Sequence, residues 1–184
     1  MPLELRPAEP AALVCAVLAR PGEALSTACQ RLQALFGPVA HATPTYPFSF
    51  SSYYQPEMGA GLVKQLVCFA ERTDPAALAA AKQRTMAVEH ELAVGTPGCR
   101  RRQANIDPGL VTVESLVLAT TKYSGQRICI APGLYAEVTL MYQRGQWTCL
   151  PWTYPDYRLP LVHDFLARIR AELLAARRQR ARGA

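Results

Sequence analysis

The acids and bases best placed for chemistry fall in short segments that also carry aromatics and prolines. In Tyr135–Tyr142, alternation places Tyr135, Glu137, Thr139 and Met141 on one face of a strand. The preceding Gln126–Ile130 brings Arg127, and Ala131-Pro132-Gly133-Leu134 joins the two as a hairpin. Matching the apolar faces predicts Cys129 opposite Glu137, with Arg127 diagonal to Glu137 and within reach of it. Two readings stand side by side: a cross-strand ion pair on a wet sheet face, or the floor of a polar pocket whose arginine holds a phosphate or carboxylate.

Asn105-Ile106-Asp107-Pro108-Gly109 reads as a turn between a strand end and a helix start, where exposed amides favour anions. Thr120-Thr121-Lys122 closes that predicted helix, and a terminal lysine also suits the helix dipole. Tyr53-Tyr54-Gln55-Pro56-Glu57 and Trp152-Thr153-Tyr154-Pro155-Asp156-Tyr157-Arg158 put rings in proline-stiffened loops. Such rings cover the end of a core or wall a pocket for a planar ligand.

Together these residues suggest a site for a phosphorylated ligand, a nucleotide or nucleic-acid fragment. Lys122, Arg127 and Arg158 would hold anionic oxygens, and Tyr54, Trp152 and Tyr154 would stack on a ring. Asp107, Glu137 and Asp156 are the candidate catalytic acids, with Glu57 beside them. Asn105, Thr121 and Tyr135 complete the set of candidate ligand contacts. Oxygen ligands without histidine or cysteine suit Mg²⁺ better than zinc. Four acids gathered in an empty site would repel one another, so Glu137→Gln is expected to leave the fold unchanged or more stable. The alternative reading is a non-catalytic RNA- or ribosome-associated module using the sheet and a basic C-terminal tail.

Several standard chemistries are excluded. There is no G-x-x-x-x-G-K-[ST], no G-x-G-x-x-G and no G-x-S-x-G. His41-Ala42-Thr43 is one half of a paired H-x-T signature, and neither His90 nor His163 supplies the second half. The six cysteines include no C-x-x-C pair and read as reduced structural thiols.

Positioning these groups requires a set of elements that periodicity outlines. Ala12–Leu18, Val39–Tyr46, Leu62–Phe69 and Arg101–Ile106 read as strands. Leu25–Phe36 and the segment from Asp74-Pro75 to Val94-Gly95 read as helices. The order β-α-β-β-α-β is the split βαβ of ferredoxin-like folds. A short helix over Thr112–Lys122, a three-strand antiparallel meander ending in Gln146–Leu150, and a C-terminal helix follow. The expected class is α+β. The longest gap in the pattern, Pro47–Gly61, is of a length that is often functional.

The 184 residues are expected to form one domain over 1–176 with a basic tail over 177–184. Net charge is +6, yet residues 167–184 hold six arginines against Glu172 alone, so the rest of the chain is nearly neutral. Neither a signal peptide nor a spanning segment is legible, so a cytoplasmic location is expected.

Five segments carry a family resemblance: Tyr53–Gly59, Asn105–Gly109, Leu118–Lys122, Gly133–Leu140 and Trp152–Arg158. In order and spacing they resemble the bacterial and archaeal domain-of-unknown-function family 4416, from about residue 11 to residue 175. The resemblance implies no particular activity. It singles out Glu57, Asp107, Lys122, Glu137, Asp156 and Arg158, and leaves Arg100-Arg101-Arg102 and the tail outside, as solvated or auxiliary positions.

Overall fold

A computed structural model describes residues 7–96 and 98–183. The long apolar run forms β1 (Ala11–Ala19), and all nine of its residues are buried. Such complete burial requires cover on both faces of the sheet, which the alternation of β1 then sorts. Leu13, Cys15 and Val17 pack with α1 (Glu23–Phe36) and α3 (Leu78–Leu92). Ala12, Val14 and Ala16 pack under α4 (Pro160–Gly183), through Val162, Phe165, Leu166, Ile169 and Leu173.

The expected second strand is two pieces, β2 (Val39–Ala42) and β3 (Tyr46–Pro47), both paired with β4 (Val63–Thr73). Between them the Thr43 N–H donates to the Leu66 carbonyl and its hydroxyl, in place of a backbone carbonyl, accepts the Leu66 N–H. The long gap carries a short helix, α2 (Gln55–Met58). Asp74 caps the turn leading into α3 by accepting the Ala76 N–H.

Beyond α3 the structure departs from the periodicity reading. Asn105-Ile106-Asp107-Pro108-Gly109 is no turn; it lies within β5 (Ala104–Val111). Thr112–Lys122 is not a helix: after a tight turn it forms β6 (Ser115–Thr120). Thr112 makes that turn by accepting the N–H groups of Glu114 and Ser115 through its hydroxyl, the same chemistry that caps helices. The chain continues as β7 (Ile128–Ala131), β8 (Leu134–Gln143) and β9 (Gln146–Cys149).

All nine strands make one antiparallel sheet ordered β2-β4-β1-β5-β6-β8-β7, with β3 on β4 and β9 on β8. The protein is thus a mixed α/β structure with an antiparallel sheet and a C-terminal helix. The predicted hairpin exists, but Ile128 faces Ala136 and Cys129 faces Tyr135, and Arg127, just ahead of β7, reaches Glu137 at 2.8 Å. Matching apolar faces misled because β7 is the edge strand. Ile128 is 72% exposed there, so no buried face fixes the register.

β5 and β6 pair only from Gly109 to Val111 against Leu116 to Leu118. Gly109 permits the close approach, since a Cβ there would lie 2.6 Å from Leu118 Cδ2 and 2.8 Å from the Val117 carbonyl. Pro108 has no N–H to extend the ladder. Past it, the Ile106 N–H donates to Glu89 and the Ile106 carbonyl accepts from Lys82. Two side chains of α3 therefore take the place of a strand, and the sheet opens into a seam.

α4 runs unbroken across the expected boundary at residue 176, and Arg177 pairs with Glu9 and Glu114 at 2.6 and 2.7 Å. Among the described residues, no helix is long and apolar enough to cross a membrane.

Candidate functional site

The seam is the floor of a cleft of about 390 Å³. It is bounded by α3, β5, the end of β6, β8, the 48–54 segment and residues 154–157. Among the sequence-predicted residues, Tyr54, Asn105, Asp107, Thr121, Lys122, Glu137, Tyr154 and Asp156 line it. Two others stand just behind the wall: Glu57 bonds the lining Arg102, and Arg127 bonds Glu137. Three point elsewhere. Tyr135 packs edge-on against Tyr123, the Trp152 indole donates to the Val138 carbonyl, and Arg158 donates twice to the Thr153 carbonyl.

The acids do not crowd together; each has its own cation. Lys64 meets Asp156 at 2.5 Å, Lys82 meets Asp107 at 3.1 Å, Arg102 meets Glu57 at 2.6 Å, and Arg127 meets Glu137 at 2.8 Å. Lys64–Asp156 and Arg127–Glu137 are almost wholly buried, and the Lys64 ammonium also sits 4.5 Å from the Tyr157 ring centroid. Arg127 donates from each of its three nitrogens, to Glu137, to the Lys122 carbonyl and to the Tyr154 hydroxyl, so it braces the wall. Among the described residues, no three His, Cys, Asp or Glu side chains gather as metal ligands.

A polar chain runs along the seam. Arg102 donates to Asn105 Oδ1, Asn105 Nδ2 donates to Asp107, and Asp107 accepts from Lys82. Its pairing with Arg102 holds the Glu57 carboxyl below the usual range. Burial pushes the Glu89 carboxyl up to about 7, against the opposing pull of Lys82. Burial, helped by Asp107, likewise raises the Tyr54 phenol, which remains a donor.

Lys64, Lys82, Glu89 and Arg102 were missed from sequence. Lys64 is in phase with Leu62 and Leu66 on a buried strand, and Lys82 and Glu89 flank Ala81 and Val88 on the apolar side of α3. Charges on an otherwise buried stripe were the available signal. Arg102, read as solvated with its neighbours, instead joins the cleft through Glu57.

After these pairings two lining charges stand apart. Lys122 has no carboxylate partner among the described residues, and its ammonium lies 3.8 Å from the Tyr53 ring centroid. Among the described residues, Glu89 is the lining carboxyl outside any ion pair.

Neither a curated protein nor a solved structure matches the chain. The model of the family described as Domain of unknown function (DUF4416) matches residues 9–173, and the protein belongs to that family.

Proposed function

We propose that the cleft binds a phosphorylated small molecule of mononucleotide size. Lys122 carries this reading. Lys64, Lys82 and Arg102 are neutralised by carboxylates, which among the described residues of the lining leaves the Lys122 ammonium as the cation without a carboxylate. Tyr53, Tyr54 and Tyr154 offer flat apolar surface beside it for a ring. The volume of about 390 Å³ lies within the range of small-molecule sites. Since Glu57, Asp107, Glu137 and Asp156 are already paired, Mg²⁺ enters this reading only as a counter-ion carried by the ligand's phosphates.

The test is thermal unfolding of wild type and Lys122→Ala with inorganic phosphate and each of the four nucleoside 5′-monophosphates. Ligand at about 100 times its Kd adds roughly 2.7 kcal/mol to a one-site protein. A shift with at least one monophosphate, lost in Lys122→Ala, is expected. No shift, or an equal shift in both proteins, refutes the reading.

The RNA-module alternative needs a continuous basic face. Arg177 is spent on Glu9 and Glu114, and Arg170 donates to the Val113 carbonyl over the Tyr142 ring. We extend the proposal to two finer points. The ferredoxin-like description of residues 11–111 is supported by the strand order β2-β4-β1-β5, with α1 and α3 packing on one face. An experimental structure with β1 at an edge would overturn it. A cytoplasmic location is supported by six free thiols, and cell fractionation checks it.

A further inference from the structure

We infer that Glu89 is the specificity-determining contact of the cleft, holding a proton with which it donates a hydrogen bond to an acceptor atom on the ligand's heterocycle. The acceptor would be a ring nitrogen or a carbonyl oxygen. This inference rests on the reading of the cleft as a site for a phosphorylated ligand.

Glu89 is 9% exposed and lines the cleft from α3. Its Oε1 is fixed by the Ile106 N–H at 2.5 Å. Among the described residues its Oε2 has no hydrogen-bond partner, and the side chain lines the cleft. The lysine nearest in charge, Lys82, is committed to the Ile106 carbonyl and to Asp107. A buried carboxyl with one oxygen pinned and the other free is oriented for a single directed contact. Asp107, Glu137 and Asp156 lack this freedom because each meets its own cation.

The charged groups acting on Glu89 are Lys82 from its own helix, and Asp107 and Arg102 from β5 and the segment before it. Lys122 after β6 and Glu137 on β8 line the same cleft. Burial outweighs the attraction of Lys82 and Arg102 and sets the carboxyl near 7, so a ligand acceptor need only retain a proton that is present about half the time at neutrality. An anionic end is then met by Lys122 and an acceptor end by the acid form of Glu89.

The experiment is calorimetric titration of the four nucleoside 5′-monophosphates into wild type, Glu89→Gln, Glu89→Ala and Lys122→Ala, from about pH 6 to about pH 8. Glutamine keeps an acceptor for the Ile106 N–H and presents a permanent donor to the cleft. The ratio of the wild-type Kd to the Glu89→Gln Kd should therefore rise from about 1 to about 10 across that range, as the acid form is lost. The phosphate's own second ionisation, near 6, strengthens binding in the opposite direction, is common to both proteins and cancels in the ratio. Glu89→Ala should bind more weakly than Glu89→Gln at every pH; if it does not fold, the ratio alone decides. A ratio that stays flat overturns the inference while the cleft reading survives through Lys122→Ala. Failure of every monophosphate to bind wild type at any pH overturns both.

Discussion

Glu137→Gln tests the arrangement of the cleft wall. The sequence suggested a crowd of acids, which predicts a neutral or stabilising change. The structure reverses that sign. Glu137 is 3% exposed and pairs with Arg127, whose side chain is 7% exposed. Removing the carboxylate strands a buried guanidinium, and breaking one partner of a buried pair costs about 3–5 kcal/mol. Glutamine retains an acceptor toward Arg127, and Arg127 keeps its bonds to the Lys122 carbonyl and the Tyr154 hydroxyl. These remaining contacts place the expected loss nearer about 2–3 kcal/mol. Urea unfolding near neutral pH, compared with wild type at unchanged m-value, measures it. The double replacement Arg127→Met with Glu137→Leu should recover most of the loss, because an apolar pair leaves no uncompensated charge. A single variant within about 1 kcal/mol of wild type, or more stable than it, refutes the buried-pair account.

Two further outcomes follow from the seam. Glu89 has a folded pKa raised to about 7 by burial, so the folded state binds its proton more tightly than the unfolded chain does. Its contribution is fully present below about 4.5 and is lost as pH rises through about 7, by roughly 3 kcal/mol. Denaturant unfolding between about pH 5 and pH 8 should show this slope in wild type and lack it in Glu89→Gln; equal slopes would count against the burial of Glu89. Gly109→Ala should destabilise by about 2–3 kcal/mol, because the new methyl meets the Val117 carbonyl as well as Leu118. A thermal midpoint equal to wild type would show that β6 can move aside.

Much of the fold was legible where burial is simple. β1 announces itself as an unbroken apolar run, and α1 and α4 by their stripes, because each buries a continuous face. Thr112–Lys122 was misread because short apolar runs fit either period and Thr112 serves a turn as well as a cap. Asp107-Pro108-Gly109 carries turn chemistry inside a strand. That placement is tolerable only because the neighbouring strand has already parted there, a fact no local window contains. Site legibility followed the same rule. Asp107, Glu137, Asp156, Lys122 and the tyrosines stood out in polar, aromatic segments. Lys64, Lys82 and Glu89 were masked by the apolar elements that carry them, and pairing across the seam decided which charges stayed free.

The seam also bears on motion. Between β5 and β6 the nine-stranded sheet is held by three facing pairs, Gly109–Leu118 to Val111–Leu116, whereas β1 is laddered to β5 along eight. A sheet this unevenly stitched has its fewest backbone hydrogen bonds along that line. The α4-side core ties the two panels together across that line, and the cleft lies at the end where their backbones are unjoined. The Ile106 amide sits at that free end with one carboxylate for a partner, so its hydrogen exchange gauges how often the Glu89 side chain lets go of the open edge of β5.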